Sequence, residues 1–281
     1  MRTTKNIVLL SILSALLLSG CGPNYQYNQA RKLEKKGYYV DASLKYEKLA
    51  KQNPSNPRSP EALYRIGRIY QKKLRLYSQA ERYFLKTADS YPNARPWSDM
   101  AKRELLNCPD YYPLTNGSFW IEGDSASGGR NMRAEWTCKE ISSGTYIITR
   151  KISAGSRLVA KIERYFKKEN MEFKEYTNAS DPNYALIYTY PFLPGKEWKT
   201  IRDGRAITCR LIEKDITVKV KAGEFNGCIK ISEENPNLPG SRRYNYYAPD
   251  VGWILTTTSA SGQEFRNTEL LSYKIMPEGQ E

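Results

Sequence analysis

The stretch "DITVKVK", Asp215 to Lys221, places Ile216, Val218 and Val220 on one side of an extended chain and Thr217, Lys219 and Lys221 on the other. An alternation of period two is what a strand with one buried and one wet face requires. Leu158, Ala160 and Ile162 alternate with Val159, Lys161 and Glu163 in the same way. Outward from these segments, turn signals recur at "SSG" (142–144), "SAG" (153–155), "RDG" (202–204), "KAG" (221–223) and "APDVG" (248–252). About ten strands at this spacing predict a mostly antiparallel, curved sheet over residues 114–276, a half-barrel or a sandwich, with a tail at 277–281. No segment between the strands is long enough to demand a crossover helix, so a parallel sheet is not expected.

The periodicity changes near Pro109. Residues 25–108 carry apolar positions at helical spacing, and Ala42, Tyr46 and Pro54 of "DASLKYEKLAKQNP" recur as Ala80, Phe84 and Pro92 of "SQAERYFLKTADSYP". The helix between them, "LYRIGRIY", brings Ile66, Gly67 and Tyr70, and "YNQARKLEKKG" brings Ala30 and Leu33. "RPWSDMAKRELLNC" adds a last helix over Trp97–Asn107, for about five helices in all. This grammar resembles the tetratricopeptide repeat, in which a small residue marks a helix contact, an aromatic follows one turn on, and a proline ends the pair. With a lipid-anchor signal directly before it, the arrangement resembles the repeats of BamD- and YbgF-type envelope proteins. The resemblance implies an α+β multidomain chain: tetratricopeptide-like (TPR) α-helical hairpins, a linker at 109–113, and the β-domain. It also implies a concave groove for partner proteins. Aligning the first helix of each repeat sets Tyr27 and Arg31 opposite Tyr64 and Arg68, an aromatic and guanidinium row suited to a carboxylate or an extended peptide.

The amino terminus reads as an export signal over residues 1–20, with basic Arg2 and Lys5, an apolar run from Ile7 to Leu18, and small residues before Cys21. The run is shorter than the roughly 20 residues needed to span a bilayer. Leu18-Ser19-Gly20-Cys21 resembles the lipobox of bacterial lipoproteins, which implies acylation of Cys21, palmitate among the chains, and a short tether over residues 21–24. Gly22, and not Asp, after the cysteine implies the periplasmic face of the outer membrane in an organism with two membranes. Residues 22–107 hold 18 Lys and Arg against 8 Asp and Glu. A basic module beside an anchor is drawn to anionic headgroups. Export and the lack of a reading motif argue against nucleic acid as a partner.

Four cysteines remain after Cys21: Cys108, Cys138, Cys209 and Cys228. In an oxidising compartment they are disulfide candidates, with Cys209 and Cys228 in neighbouring strands as the first choice, against the alternative of four small buried apolar residues. The chain has no histidine, which removes Ser-His-Asp and Cys-His catalysis and the usual His-based zinc sites. No carboxylate pair stands out by spacing. The expectation is a protein that is not an enzyme, with no catalytic residue, no metal and no cofactor.

One frame occurs twice, "YPLTNGSFW" at 112–120 and "YPFLPGKEW" at 190–198. Proline ends the preceding segment, glycine permits a turn, and tryptophan anchors the strand that follows. The frame is therefore a scaffold that opens each of two related halves, 112–189 and 190–276. "AGEFNGCIKI" followed by "YYAPDVGWIL" resembles the carboxy-terminal part of periplasmic and lipoprotein β-domains of uncharacterised function. Taken together, these features predict a membrane-anchored lipoprotein acting as an interaction or scaffold module in envelope assembly or maintenance. The alternative is a lipid or glycolipid carrier that uses the concave sheet, with Tyr165, Phe166, Tyr188, Phe192 and Trp253 as candidate cavity-lining or core aromatics.

Overall fold

A computed structural model describes residues 22–238, 240–260 and 262–277. The export signal and the lipidation site Cys21 lie outside the described residues. Two compact units divide the chain, one ending at Cys108 and the other beginning at Pro109.

The first unit contains α1 (Pro23–Lys35), α2 (Tyr39–Gln52), α3 (Ser59–Arg68), α4 (Tyr77–Ser90) and α5 (Trp97–Glu104). Proline in the first turn opens α1 and α3, where its missing N–H has no intrahelical partner to lose. Lys32 and Lys35 close α1 and Arg65 and Arg68 close α3, each cation set against the negative end of a helix dipole. Tyr27, Ala30, Ala42, Tyr46, Leu49, Leu63 and Ile66 form the core of this unit. Gly67 is required where α3 meets α4, because a Cβ there would come within 2.6 Å of the Phe84 ring. Beyond Arg68 the helix loosens into a π-helical turn, Ile69–Lys73, in which Leu74 N–H bonds Ile69 O.

The second unit is a single twelve-stranded antiparallel sheet: β1 (Phe119–Asp124), β2 (Met132–Ser142), β3 (Thr145–Ala154), β4 (Arg157–Glu169), β5 (Glu172–Tyr176), β6 (Ala185–Thr189), β7 (Glu197–Arg202), β8 (Arg205–Val220), β9 (Gly223–Glu234), β10 (Ser241–Ala248), β11 (Gly252–Ala260) and β12 (Gln263–Lys274). The spatial order runs β6 to β1 and then β12 to β7. First and last strands therefore pair at the centre, and a six-strand meander leads away from them on each side. Among the described residues, the outer strands β6 and β7 share no backbone ladder. Side chains join them instead: Leu186 N–H donates to Thr200 Oγ1 at 2.7 Å, and Trp198 Nε1–H donates to Leu186 O at 3.2 Å. The sheet is thus a nearly closed barrel with one side-chain-stitched seam, which shields two edges that would otherwise be left open to pairing.

This architecture corrects the α+β reading led by tetratricopeptide-like hairpins. Among the described residues, twelve strands carry the fold, and the helices are five, short, and interrupted by the π-helical turn. The small-residue and aromatic pattern at Ala42, Gly67, Ala80 and Phe84 reports close helix contacts, which any packed helix pair needs, and does not by itself specify a repeat array. The half-barrel or sandwich is likewise corrected to one sheet. Hairpin turns do fall at all five turn signals. A bulge between Ile152 and Ser153 interrupts the alternation at the start of β4, so Leu158 and Val159 are both exposed.

One part of the barrel interior is filled by rings. Tyr112 lies 4.8 Å from Phe173, 5.7 Å from Phe166 and 6.4 Å from Tyr247, while Tyr188 lies 4.9 Å from Phe173 and 5.5 Å from Phe192, centroid to centroid. The entering segment takes part: Tyr111 is buried and donates to Gly227 O at 3.0 Å, and Asp110 pairs with Lys168 at 2.5 Å. Residues 109–113, read from sequence as a linker, are therefore tied into the barrel. Each such ring contributes about 1.5–3 kcal/mol through burial.

Candidate functional site

The rest of the interior is charged. Inward positions of successive strands place Glu122 on β1, Trp136 on β2, Arg150 on β3, Arg164 on β4, Glu175 on β5, Arg202 at the end of β7, Glu233 on β9, Arg243 and Asn245 on β10, and Trp253 and Thr256 on β11 around one cavity of about 260 Å³. Asp203, in the β7–β8 turn, completes this girdle, and it and Arg243 are its exposed members.

Most of its groups hold one another. Arg150 Nη2 lies 2.7 Å from Glu122 Oε2, which also accepts from Trp136 Nε1 at 3.0 Å. The Arg150 guanidinium covers one side of Trp136 at 4.9 Å, and Trp253 stacks on the same ring at 5.9 Å and 7°. Arg202 Nη1 lies 2.8 Å from Glu233 Oε1. Arg164 reaches Glu175 at 3.2 Å through Nε and Asp203 at 3.0 Å through Nη2. Trp253 Nε1–H donates to Thr256 Oγ1 at 2.8 Å, and Thr256 donates to Asn245 Oδ1 at 2.9 Å. Burial pushes the Glu175 carboxyl above its ordinary pKa, against the pull of Arg202 and Arg164.

Two buried donors are left over. Arg150 Nε and Arg202 Nε have no hydrogen-bond partner among the described residues, and the latter stands 4.0 Å from Glu175. Arg243 lies in register with Glu233, whose oxygen is held by Arg202, and has no ion pair among the described residues. A second recess of about 880 Å³ lies along the β6/β7 seam, lined by Tyr184, Leu186, Ile201 and Ala206 among others, and it shares Arg164, Glu175, Arg202 and Asp203 with the girdle.

The structure distributes the sequence-predicted residues differently. Tyr27 is buried and bonded to Glu61 and to Arg65 Nε, the latter at 3.1 Å, inside a network that runs on through Arg65 and Glu34 to Tyr46. Arg31 is half-buried. Tyr64 packs between Phe84 and Trp97 at 5.7 and 5.6 Å, and Arg68 is bonded to Glu104. Tyr27, Tyr64 and Arg68 are thus occupied within the helical unit's packing and form no open row.

The disulfide expectation is corrected, because Cys108, Cys138, Cys209 and Cys228 are all free and buried. Cys209 faces Glu233 and Cys228 faces Ile216, so adjacency of strands did not bring the first-choice pair into register. Burial raises every one of these thiols, Cys138 and Cys209 to about 12 and Cys228 to about 11, which makes them poor nucleophiles. No cluster of three or more Cys, Asp and Glu side chains among the described residues is placed to hold a metal ion. Of the candidate aromatics, Phe166 and Trp253 line the girdle cavity, Tyr188 and Phe192 belong to the filled core, and Tyr165 alternates with Phe166 to the other face of the sheet.

The girdle itself was missed, although a third of it has a sequence signal. Glu122, Trp136, Arg150 and Arg164 are each 14 residues apart. A meander of constant stride sets residues at that spacing on neighbouring strands and on one face.

No protein-family model matches the chain, and no curated protein does. Among solved structures, the chain is similar to a candidate lipoprotein from Parabacteroides distasonis at a TM-score of 0.37 and 16% identity, over 58% of this chain and 98% of that one. It is also similar to a beta-barrel-like protein of a domain of unknown function from Brucella abortus, at a TM-score of 0.28 and 10% identity, over 59% of this chain and 100% of that one.

Proposed function

We propose that the chain is a membrane-anchored, non-enzymatic lipoprotein of the cell envelope whose barrel is a binding module, with the girdle cavity as its ligand site. The observation that carries this reading is the girdle. Desolvating an ion costs several kcal/mol even after relaxation, so a barrel built for stability alone would fill its interior with apolar side chains throughout, as this one does around Tyr112 and Phe173. Each girdle carboxylate is held by a guanidinium, an arrangement suited to gripping a ligand more than to moving protons. A lipid ligand would present its polar end to this lining, because methylenes against Arg and Glu leave the charges uncompensated.

Anchoring rests on Leu18-Ser19-Gly20-Cys21 and on the fact that no described helix is long and apolar enough to cross a membrane. The outer membrane, facing the periplasm, is the site we assign from Gly22. The cationic excess of residues 22–107 supports a second role for the helical unit at anionic headgroups, where an envelope scaffold would work.

Metabolic labelling with palmitate tests the anchor: the wild type takes the label and fractionates with membranes, and Cys21→Ser does neither. Native mass spectrometry of the full chain incubated with envelope extract tests the barrel. A discrete retained small molecule is the expected result, and a bare protein mass after exposure to every extract fraction rejects the binding module.

A further inference from the structure

Resting on the barrel as a binding module, we infer that the girdle cavity binds an oxyanion, a phosphate-type group borne by a small polar molecule or by a lipid headgroup. Among the described residues, the buried side-chain atoms of its lining that lack a hydrogen-bond partner are both donors. Glu122, Glu175, Asp203 and Glu233 are each engaged by an arginine, whereas Arg150 Nε and Arg202 Nε are buried without an acceptor. Arg243, exposed beside them, adds a guanidinium with no ion pair among the described residues. These three arginines stand on β3, β7 and β10 and line one cavity.

A buried donor left without a partner costs about 1–3 kcal/mol, and more when charged, so such groups mark a place where an acceptor belongs. An oxyanion brings acceptors alone and meets the planar guanidinium fork in two parallel bonds. A neutral polyol brings hydroxyl donors as well, and Glu122 Oε2, Glu233 Oε1 and the Asn245 carbonyl are already accepting bonds. A volume of about 260 Å³ leaves room beside the anionic group for more of the ligand. The seam recess, which shares Arg164, Glu175, Arg202 and Asp203, gives that remainder a route outward.

Calorimetric titration of the full chain with inorganic phosphate, and with monomeric dihexanoyl phosphatidylglycerol, tests the assignment. Saturable binding that weakens as salt rises is expected for at least one probe. Arg243→Ala should weaken it about tenfold or more, equivalent to about 1.4 kcal/mol, with melting unchanged because that side chain holds no ion pair. Arg150→Lys, which keeps the charge and removes the fork and Nε, should weaken it too. Phosphate displaced by the short lipid supports a headgroup as the source. Phosphate bound with the lipid unable to compete supports a free anion. No saturable binding of either probe, or equal affinity in Arg243→Ala, overturns the oxyanion. Retention of a neutral compound in the cavity with neither anion bound also overturns it, and leaves the binding module standing.

Discussion

The frames Tyr112–Trp120 and Tyr190–Trp198 begin alike and end in different structural positions. In the first, Gly117 N–H bonds Cys138 O at 2.9 Å and Cys138 N–H bonds Ser118 O at 2.9 Å; in the second, Gly195 N–H bonds Leu211 O at 2.8 Å and Leu211 N–H bonds Lys196 O at 3.0 Å. The glycines share φ near +80 and +88°. Each frame therefore starts a six-strand meander by the same turn. Trp120, however, lies on a strand laddered on both sides and donates to Val251 O at 2.6 Å, whereas Trp198 lies on the edge strand and donates across the seam at 3.2 Å. Two residues onward, Glu122 enters the girdle while Thr200 stitches the seam. One local motif thus serves as the barrel's centre in one half and as its clasp in the other, and the pairing of neighbouring strands decides which.

Truncating the two indoles should separate these roles. Trp120→Ala is expected to lower unfolding free energy by about 3–5 kcal/mol, as loss of a buried ring does. Trp198→Ala should fall at the lower end of that range and accelerate amide exchange in β6 and β7 ahead of the rest of the barrel. Denaturant unfolding with exchange mass spectrometry reads both. A larger loss at Trp198, or uniform exchange, would make the seam the structural centre and invert the comparison.

Next in size is the seam's hydroxyl. Thr200→Val keeps the shape and leaves Leu186 N–H without its acceptor, a loss of about 1–3 kcal/mol. A valine variant as stable as the wild type would mean that the seam is held by Trp198 alone. Below that, Gly117→Ala and Gly195→Ala should each cost about 1–2 kcal/mol, the penalty of a Cβ at positive φ. Equal costs in thermal melts keep the two frames equivalent, and a cost confined to one of them breaks the equivalence.

Much of the sheet was legible because alternation survives wherever one face is buried: in "DITVKVK", Val218 and Val220 are buried and Thr217 and Lys219 exposed. What was illegible depends on pairing over long separations. Thr137-Cys138 and Thr208-Cys209 match in sequence, yet the hydrogen bonds make Cys138 equivalent to Leu211, because the first hairpin connection is longer. Cys209 and Cys228 lie on adjacent strands but out of register, and the bulges that separate them leave no composition signature. Tyr27 and Tyr64 have the spacing of an exposed row and are buried by Glu61, Arg65, Phe84 and Trp97. Helical periodicity locates a face without saying what covers it. The girdle was hidden for a related reason: charged residues on a strand read as solvent-facing until closure of the sheet turns their face inward.

The smallest expected effect comes from two carboxylates, one in each meander, whose environments act in opposite directions. Burial raises the Glu175 carboxyl, and Arg202 and Arg164 pull it back only in part. Burial also works on Glu264, but bonds from Lys230, Thr257 and Tyr246 prevail and hold it below the ordinary carboxyl value. A lowered folded pKa contributes stability that is present above the unfolded value, about 4.3 for Glu, and is lost as pH falls through the folded one. Glu264→Gln should therefore cost about 1 kcal/mol at pH 7 and progressively less as pH drops below 4. A raised folded pKa has the opposite sign, with its contribution present at low pH and lost as pH rises through the folded value. Glu175→Gln should accordingly cost nothing at pH 7 or stabilise slightly, with the advantage fading toward pH 4. Urea midpoints of both variants against the wild type from pH 3 to 8 measure the two slopes. Parallel slopes would mean that the girdle's arginines outweigh burial at Glu175, and that its charge is held as firmly as the Lys230–Glu264 pair on the opposite meander.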